Sequence, residues 1–344
     1  MPFGSPLLLL ALAASAPPPT GSLDKEVIRG VIRSHVGDVQ RCYQAELVKT
    51  PDLFGKIMVK FTIAASGDVS ESAVESSTTR NLPVETCTAA AVRRWRFPKP
   101  EGGGIVIVSY PFVLTPGRAV PIPSTAETGP IEVTVLGLQA IVHTTTNAEG
   151  IPSNGLIAMT ERGLLLVDTA WTDAQTEALL AWGEARLGRP WIGAVITHDH
   201  ADRDGGLGAL QRRHIPVAAL DLTVAKLAKR GVRGVDALFT ARDGVFKDPR
   251  GFEAFYPGPG HASDNIVLSF PGALYGGCLV KSAVANDLGF TGDADLAHWA
   301  DAVRRVAERY QKPGRPVVPG HGPVDETADP LQRTLDLLAS RPKR

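Results

Sequence analysis

The chain has 344 residues, enough for two domains with sizeable cores. Its 36 Lys and Arg residues balance 36 Asp and Glu residues, which excludes a protein drawn as a whole to nucleic acid or to an anionic membrane. The 35 glycines and 27 prolines suit a loop-rich α/β or β protein and argue against a helical bundle.

In chain order, "PLLLLALAASA" over residues 6–16 is too short to span a membrane and has the form of a signal-peptide core. Ala11-Leu12-Ala13 and Ala14-Ser15-Ala16 are its two cleavage motifs. No Lys or Arg precedes it and Pro17 follows it, so an unstructured tail or a misassigned start is the alternative. Residues 1–21 are set aside as leader or tail. Export to the periplasm is the expectation, and no nearby cysteine offers a lipid anchor.

Residues 22–48 read as a helix with Ser22 as its cap, because Val27, Ile28, Val31, Ile32 and Val36 recur at helical spacing. "GKIMVKFTI" alternates as a strand, "ASGD" turns, and a second extended run continues through Val74. A short helix around Val84–Trp95 and the strand "GGIVIVSYPFVL" complete a small α+β domain over residues 22–115. Arg93, Arg94 and Arg96 read as a solvated face. Of three cysteines, Cys42 and Cys87 fall here; export permits a disulfide between them, and three free thiols is the alternative.

Residues 116–130 form a Pro/Thr/Gly linker. From residue 131 to 344 short strands ("IEVTVLG", "QAIVHT", "NGLIAMT", "GLLLVDTA", "IGAVIT", "FEAFYPG", "NIVLSF") interleave with helical stretches ("DAQTEALLAWGEARLG", Leu296–Tyr310 and Pro330–Leu338). That pattern predicts sheets covered by helices.

The chemistry concentrates at strand ends. "THDHAD" places His198, His200 and Asp202 within five positions, directly after an apolar run. "YPGPGHASDN" sets His261 in a glycine-rich loop, "YGGCLVKS" sets Cys278 after two glycines, and "VVPGHGP" sets His321 after a third apolar run. Neutral imidazole, carboxylate and thiolate are good zinc ligands. His198, His200 and His261 make a three-nitrogen site, and Asp202, Cys278 and His321 a mixed one. Two metals about 3.5–4 Å apart can share a hydroxide. His143 follows a strand and could line the cleft, while His298 reads as a structural residue within a helix.

Two resemblances follow from these residues. "VQRCYQ", "GKIMVKFTIAASGDV", "ETCTAAAVRRWRFPKP" and "VSYPFVL" resemble the TonB C-terminal-like domains, in their variant with a cysteine pair, over residues 23–115. That implies an envelope protein or cell-wall partner. HxHxD, GxGHxxDN, GGCxxK and PGHG resemble the metallo-β-lactamase superfamily over residues 131–344, and Cys278 narrows the likeness to class B β-lactamases of the first subclass. The implied fold is an αββα sandwich preceded by the small α+β domain. The implied activity is hydrolysis of the β-lactam amide in penicillins, cephalosporins and carbapenems, by a hydroxide held between two Zn2+ ions. Asp202 and His198 take catalytic roles, and Lys281 grips the substrate carboxylate. Asp168 and Arg203 support the metal ligands from beneath.

Three departures from that family pattern stand out. Phe290 in "GFTGDADL" occupies the place of an asparagine beside the oxyanion, with Asn286 as a candidate substitute. The flap "TTTNAEG" has no aromatic residue, and Ala262 replaces a threonine. A lactonase or other ester or amide hydrolase of the same fold is the alternative activity, and an envelope-binding protein is the non-enzymatic one. A monomer with no nucleic-acid partner is expected.

Overall fold

The computed structural model describes residues 20–137, 139–249, 251–324 and 329–341. The expected signal-peptide core at residues 6–16 lies outside them. The chain divides into two compact units. One takes the residues up to Lys49 together with Lys56–Phe112; the other takes Thr50–Gly55 and the residues from Val113 onward.

The first unit runs α1 (Lys25–Leu47), β1 (Gly55–Ile63), β2 (Val69–Ser77), α2 (Leu82–Val92) and β3 (Val106–Leu114), with sheet order β2-β1-β3. β1 lies at the centre, and its Ile57, Val59, Phe61 and Ile63 all point to the buried side, as a two-residue period requires. Asp24 caps α1, accepting from the backbone N–H groups of Glu26 (2.7 Å) and Val27 (3.2 Å). The expected cap, Ser22, is instead bridged to Glu101. α2 begins on an Asn81 cap and stops at Val92, short of the expected Trp95, whose indole N–H turns to Asp38 at 2.9 Å. Cys42 and Cys87 form a disulfide across 45 residues. A loop of that length is worth about 4 kcal/mol in the chain-entropy model. Of the arginines expected on a solvated face, Arg96 pairs with Asp68 at 2.8 Å and Arg93 donates to the Val69 carbonyl.

The second unit opens with β4 (Val120–Pro121), β5 (Ile131–Val135), β6 (Ala140–Thr146), β7 (Pro152–Thr160) and β8 (Gly163–Val167). It continues with α3 (Asp173–Leu187), β9 (Trp191–Ile196), α4 (Ala201–Asp204), α5 (Leu207–Arg212), β10 (Val217–Leu220), α6 (Asp221–Lys229) and β11 (Val235–Phe239). These strands make one sheet in the order β11-β10-β9-β8-β7-β6-β5-β4. A second sheet follows from β12 (Val245–Asp248), β13 (Phe252–Phe255), β14 (Val267–Phe270), β15 (Ala273–Gly277) and β16 (Val317–Pro319), which lie side by side in sequence order. α7 (Trp299–Tyr310) precedes β16, and α8 (Pro330–Ala339) follows it.

Three cores define four layers. Val142, Leu165, Val167 and Val195 of the first sheet pack against Leu268, Phe270, Tyr275 and Val318 of the second. Leu179, Trp182, Leu210 and Leu227 cover the outer side of the first sheet, and Trp299, Val303, Val306 and Leu337 that of the second. A strand such as β8, covered on both faces, must be apolar throughout, which explains the unbroken "GLLLV".

Three expectations differ from the structure. The linker begins as structure: Val120 and Ile122 are buried, and β4 pairs antiparallel with β5. Pro121 is tolerated because β4 is the sheet edge. His143 lines no cleft. It lies inside β6, 1% exposed, with Nε2 3.3 Å from the Asp168 carbonyl. His298 sits at the position preceding α7, held by Asp295 at 2.9 Å, and not within the helix.

Burial pushes the His143 imidazole from its ordinary 6.5 down to about 3. The unfolded chain takes this proton below pH 6.5 and the native chain does not, so stability declines as pH falls through that window. Between pH 7 and pH 5 the effect amounts to about 2 kcal/mol. Urea denaturation at the two pH values is expected to show the wild-type chain losing that much more than His143→Gln.

Candidate metal centre

The site lies where four strands end. β9 runs into Thr197 and His198, and α4 starts immediately beyond His200, carrying Asp202. Cys278 follows β15, His321 follows β16 by one glycine, and His261 sits in the loop between β13 and β14. Gly320 makes the approach possible, since a Cβ there would lie 2.7 Å from the Cys278 sulfur.

Six donors converge. His198 Nε2 is 3.0 Å from His200 Nδ1, and His261 Nε2 is 3.3 Å from that same Nδ1. Asp202 Oδ2 lies 3.1 Å from His321 Nε2 and 3.4 Å from Cys278 Sγ, and Cys278 Sγ lies 3.3 Å from His321 Nε2. Cys278 is also grouped within 4.8 Å with donor atoms of His198 and His261, so the cluster is continuous.

The residues behind the donors fix which atoms face inward. Asp293 Oδ2, 3.0 Å from His200 Nε2, holds the proton on that nitrogen and leaves Nδ1 bare. The Pro152 carbonyl, 2.7 Å from His321 Nδ1, holds a proton on that nitrogen and turns Nε2 toward Asp202 and Cys278. Burial drives His198 well below its ordinary value and His261 down to about 2, so both rings are neutral at pH 7. The inward nitrogens of His198 and His261 both lie against His200 Nδ1, at 3.0 and 3.3 Å, and a cation there would satisfy all three at once. Burial alone would lower His321 too; the Cys278 sulfur and the Asp202 carboxylate raise it instead, to about 9. That set asks for positive charge, and soft sulfur with imidazole and carboxylate suits zinc.

Beneath the donors lies a dry polar network. Arg203 has no exposed surface. It donates to Asp202 Oδ2 from Nε (3.1 Å) and Nη2 (2.8 Å), to Asp168 Oδ2 (3.3 Å), to the Gly320 carbonyl (2.9 Å) and to the Asn154 carbonyl. Asp168 adopts a left-handed backbone (φ 57°), unusual outside glycine and asparagine, and accepts from Thr197 N (2.7 Å), Thr197 Oγ1 (2.8 Å) and Tyr275 Oη (2.8 Å). Burial acts to raise the Asp202 carboxyl, but Arg203 and His321 hold it below the usual carboxylate range.

Above the donors opens a cavity of about 500 Å³, lined among others by Ile151, Trp171, His200, Asp202, His261, Lys281, Phe290 and His321. Lys281 is 8% exposed, and its ammonium sits 5.2 Å from the Trp299 ring. Asn286 is exposed and does not line this cavity, so it gives no amide in place of the missing asparagine. The structure thus brings together all six expected donors, with Lys281 above and Asp168 and Arg203 below. Asp293, Asn154 and Tyr275 had no sequence signal beyond their place in the stretches "GFTGDADL", "NGLIAMT" and "YGGCLVKS".

The comparisons agree with this geometry. A family model described as the metallo-beta-lactamase superfamily matches residues 148–337. A metallo-beta-lactamase type 2 from Bacillus sp. (strain 170) is 41% identical over 219 residues, covering 62% of this chain and 84% of that protein. One from Bacillus cereus is 40% identical over 222 residues, with the same coverage. Among solved structures, a metallo-beta-lactamase from Pontibacter korlensis gives a TM-score of 0.55 at 39% identity, covering 61% of this chain and 100% of that one. FIM-1 from Pseudomonas aeruginosa, solved in its mono-zinc form, gives 0.56 at 33% identity, covering 61% and 95%. The chain belongs to the metallo-beta-lactamase superfamily.

Removing one partner from a buried ionic network strands the other charges. Arg203→Ala is expected to cost about 3–5 kcal/mol in urea denaturation. Arg203→Lys should recover little of this, because a single ammonium cannot reproduce the planar fork.

Proposed function

We propose that this protein is a zinc-dependent β-lactamase of the first class B subclass that holds two zinc ions per chain. The observation carrying this reading is the convergence of six donors, three of them imidazoles and three a sulfur, carboxylate and imidazole set, on one cavity that also holds Lys281. His198, His200 and His261 would hold one ion, and Asp202, Cys278 and His321 the other. When bound, zinc supplies a Lewis acid and an activated water for opening the lactam amide.

The remaining roles fall to the chain itself. Lys281 receives the substrate carboxylate by a charge-assisted hydrogen bond, and its pocket beside Trp299 holds the ammonium in place. Asp202 orients the attacking water, and His198 sits against the reacting centre. Arg203 keeps Asp202 ionised and fixed. The Phe290 side chain carries no N–H, so no side-chain amide donor reaches the lactam oxygen from that position. Retained Cys278 and Lys281 favour the lactam over a lactone or simple ester.

Residues 23–115 are read as a TonB C-terminal-like module directed to an envelope or cell-wall component, and the protein as periplasmic. The element order α1-β1-β2-α2-β3 and the Cys42–Cys87 disulfide support that reading, since disulfides persist in oxidising compartments.

Purified, zinc-loaded protein should hydrolyse a carbapenem and a cephalosporin and lose both activities on chelation. No turnover of any β-lactam would reject the reading. Cys278→Ala should lower bound zinc from two ions to about one per chain, because a ligand of the mixed set is gone. Lys281→Ala should raise KM about tenfold or more, with a smaller effect on kcat.

A further inference from the structure

Phe290 is 63% exposed, yet it stands at the rim of the cavity instead of on open surface. Its position is built. The ring meets His200 edge-on, with centroids 5.7 Å apart and planes at 77°. On its own loop Gly292 leaves the space the ring fills: a Cβ there would lie 2.5 Å from the ring's Cζ. The next residue, Asp293, holds His200 itself at 3.0 Å. One four-residue segment thus fixes both the ring and the donor it leans on, and leaves the outer face of the ring free.

Ile151, 47% exposed, also belongs to the cavity lining. It closes a tight turn from β6 to β7 in which Asn147 Oδ1 accepts from the backbone N–H groups of Glu149 (3.1 Å) and Ile151 (2.8 Å). Such a turn is short and internally bonded, so the flap supplies one aliphatic side chain and no aromatic surface. Phe290 therefore presents an exposed flat apolar face at this mouth, with the half-buried Trp171 also in the cavity lining.

We infer that Phe290 is a specificity-determining residue that selects β-lactams bearing an aromatic acylamino substituent. The inference rests on the β-lactam reading. With the substrate carboxylate at Lys281 and the lactam amide over the donor cluster, the acylamino group leaves the cavity across the rim. An aromatic ring there packs on Phe290. A bare amine or a small hydroxyalkyl group finds no partner.

Benzylpenicillin and 6-aminopenicillanic acid share one nucleus and differ by the phenylacetyl group, so the ratio of their kcat/KM values isolates the contact. With the zinc-loaded full-length chain, Phe290→Ala should lower that ratio about fivefold to tenfold, chiefly through KM for benzylpenicillin. Phe290→Trp should keep it within about twofold, and Gly292→Ala, which pushes the ring from its seat, should lower it. The ratio of association constants for the two ring-opened products, taken in the same order and measured by calorimetry, should fall in parallel. Zinc content is measured for each variant because the ring abuts His200. An unchanged ratio in Phe290→Ala overturns the inference. So does an equal loss on both substrates, which would make the ring a prop for His200. Failure of the wild-type chain to open either compound would instead reject the β-lactam reading, and this inference with it.

Discussion

The structure depends on a guanidinium that never meets water. Arg203 reaches Asp202, Asp168, the Asn154 and Gly320 carbonyls and the Tyr275 hydroxyl from a position with no exposed surface. Apart from Asp202, these partners lie on or just beyond β7, β8, β15 and β16, so one side chain spans both sheets of the sandwich. Burying a charge so deeply is tolerable only where ionic partners and hydrogen bonds satisfy it, and here both are supplied. The result is a fixed floor on which strand ends from distant parts of the chain keep a common register.

On that floor the donors are held by second partners, not by chance convergence. Asp293 and the Pro152 carbonyl each fix the proton on the outer nitrogen of a histidine, and Gly320 admits the Cys278 sulfur. His261 differs: among the described residues its Nδ1 is buried without a hydrogen-bond partner. Ala262 follows it, where a hydroxyl-bearing side chain would have been a candidate partner. Its orientation therefore rests on packing, including the edge contact with Trp299 at 5.5 Å, more than on hydrogen bonding.

Much of this was legible in the sequence, for a physical reason. Metal donors at strand ends follow apolar runs and glycines, so His198, His261, Cys278 and His321 announce themselves locally. β6, β7 and β8 were legible from the same apolar runs. What escaped was non-local or hidden by composition. Asp293 acts on His200 across 93 positions, and no spacing rule links the two. The proline-rich stretch at residues 116–130 concealed β4, because an edge strand tolerates Pro121 while Val120 and Ile122 enter the core. His143 follows an apolar run much as the donors do; only the covered sheet shows that it faces the interior.

The central claim is that sulfur, carboxylate and imidazole from separate strand ends share one divalent ion beside a three-histidine site. Titrating the metal-free chain with Co2+ and recording its electronic spectrum tests this directly. Saturation is expected at two equivalents, with a near-ultraviolet band from sulfur-to-metal charge transfer alongside the visible bands. Cobalt binding with no sulfur band, or saturation without any ordered visible spectrum, would contradict it.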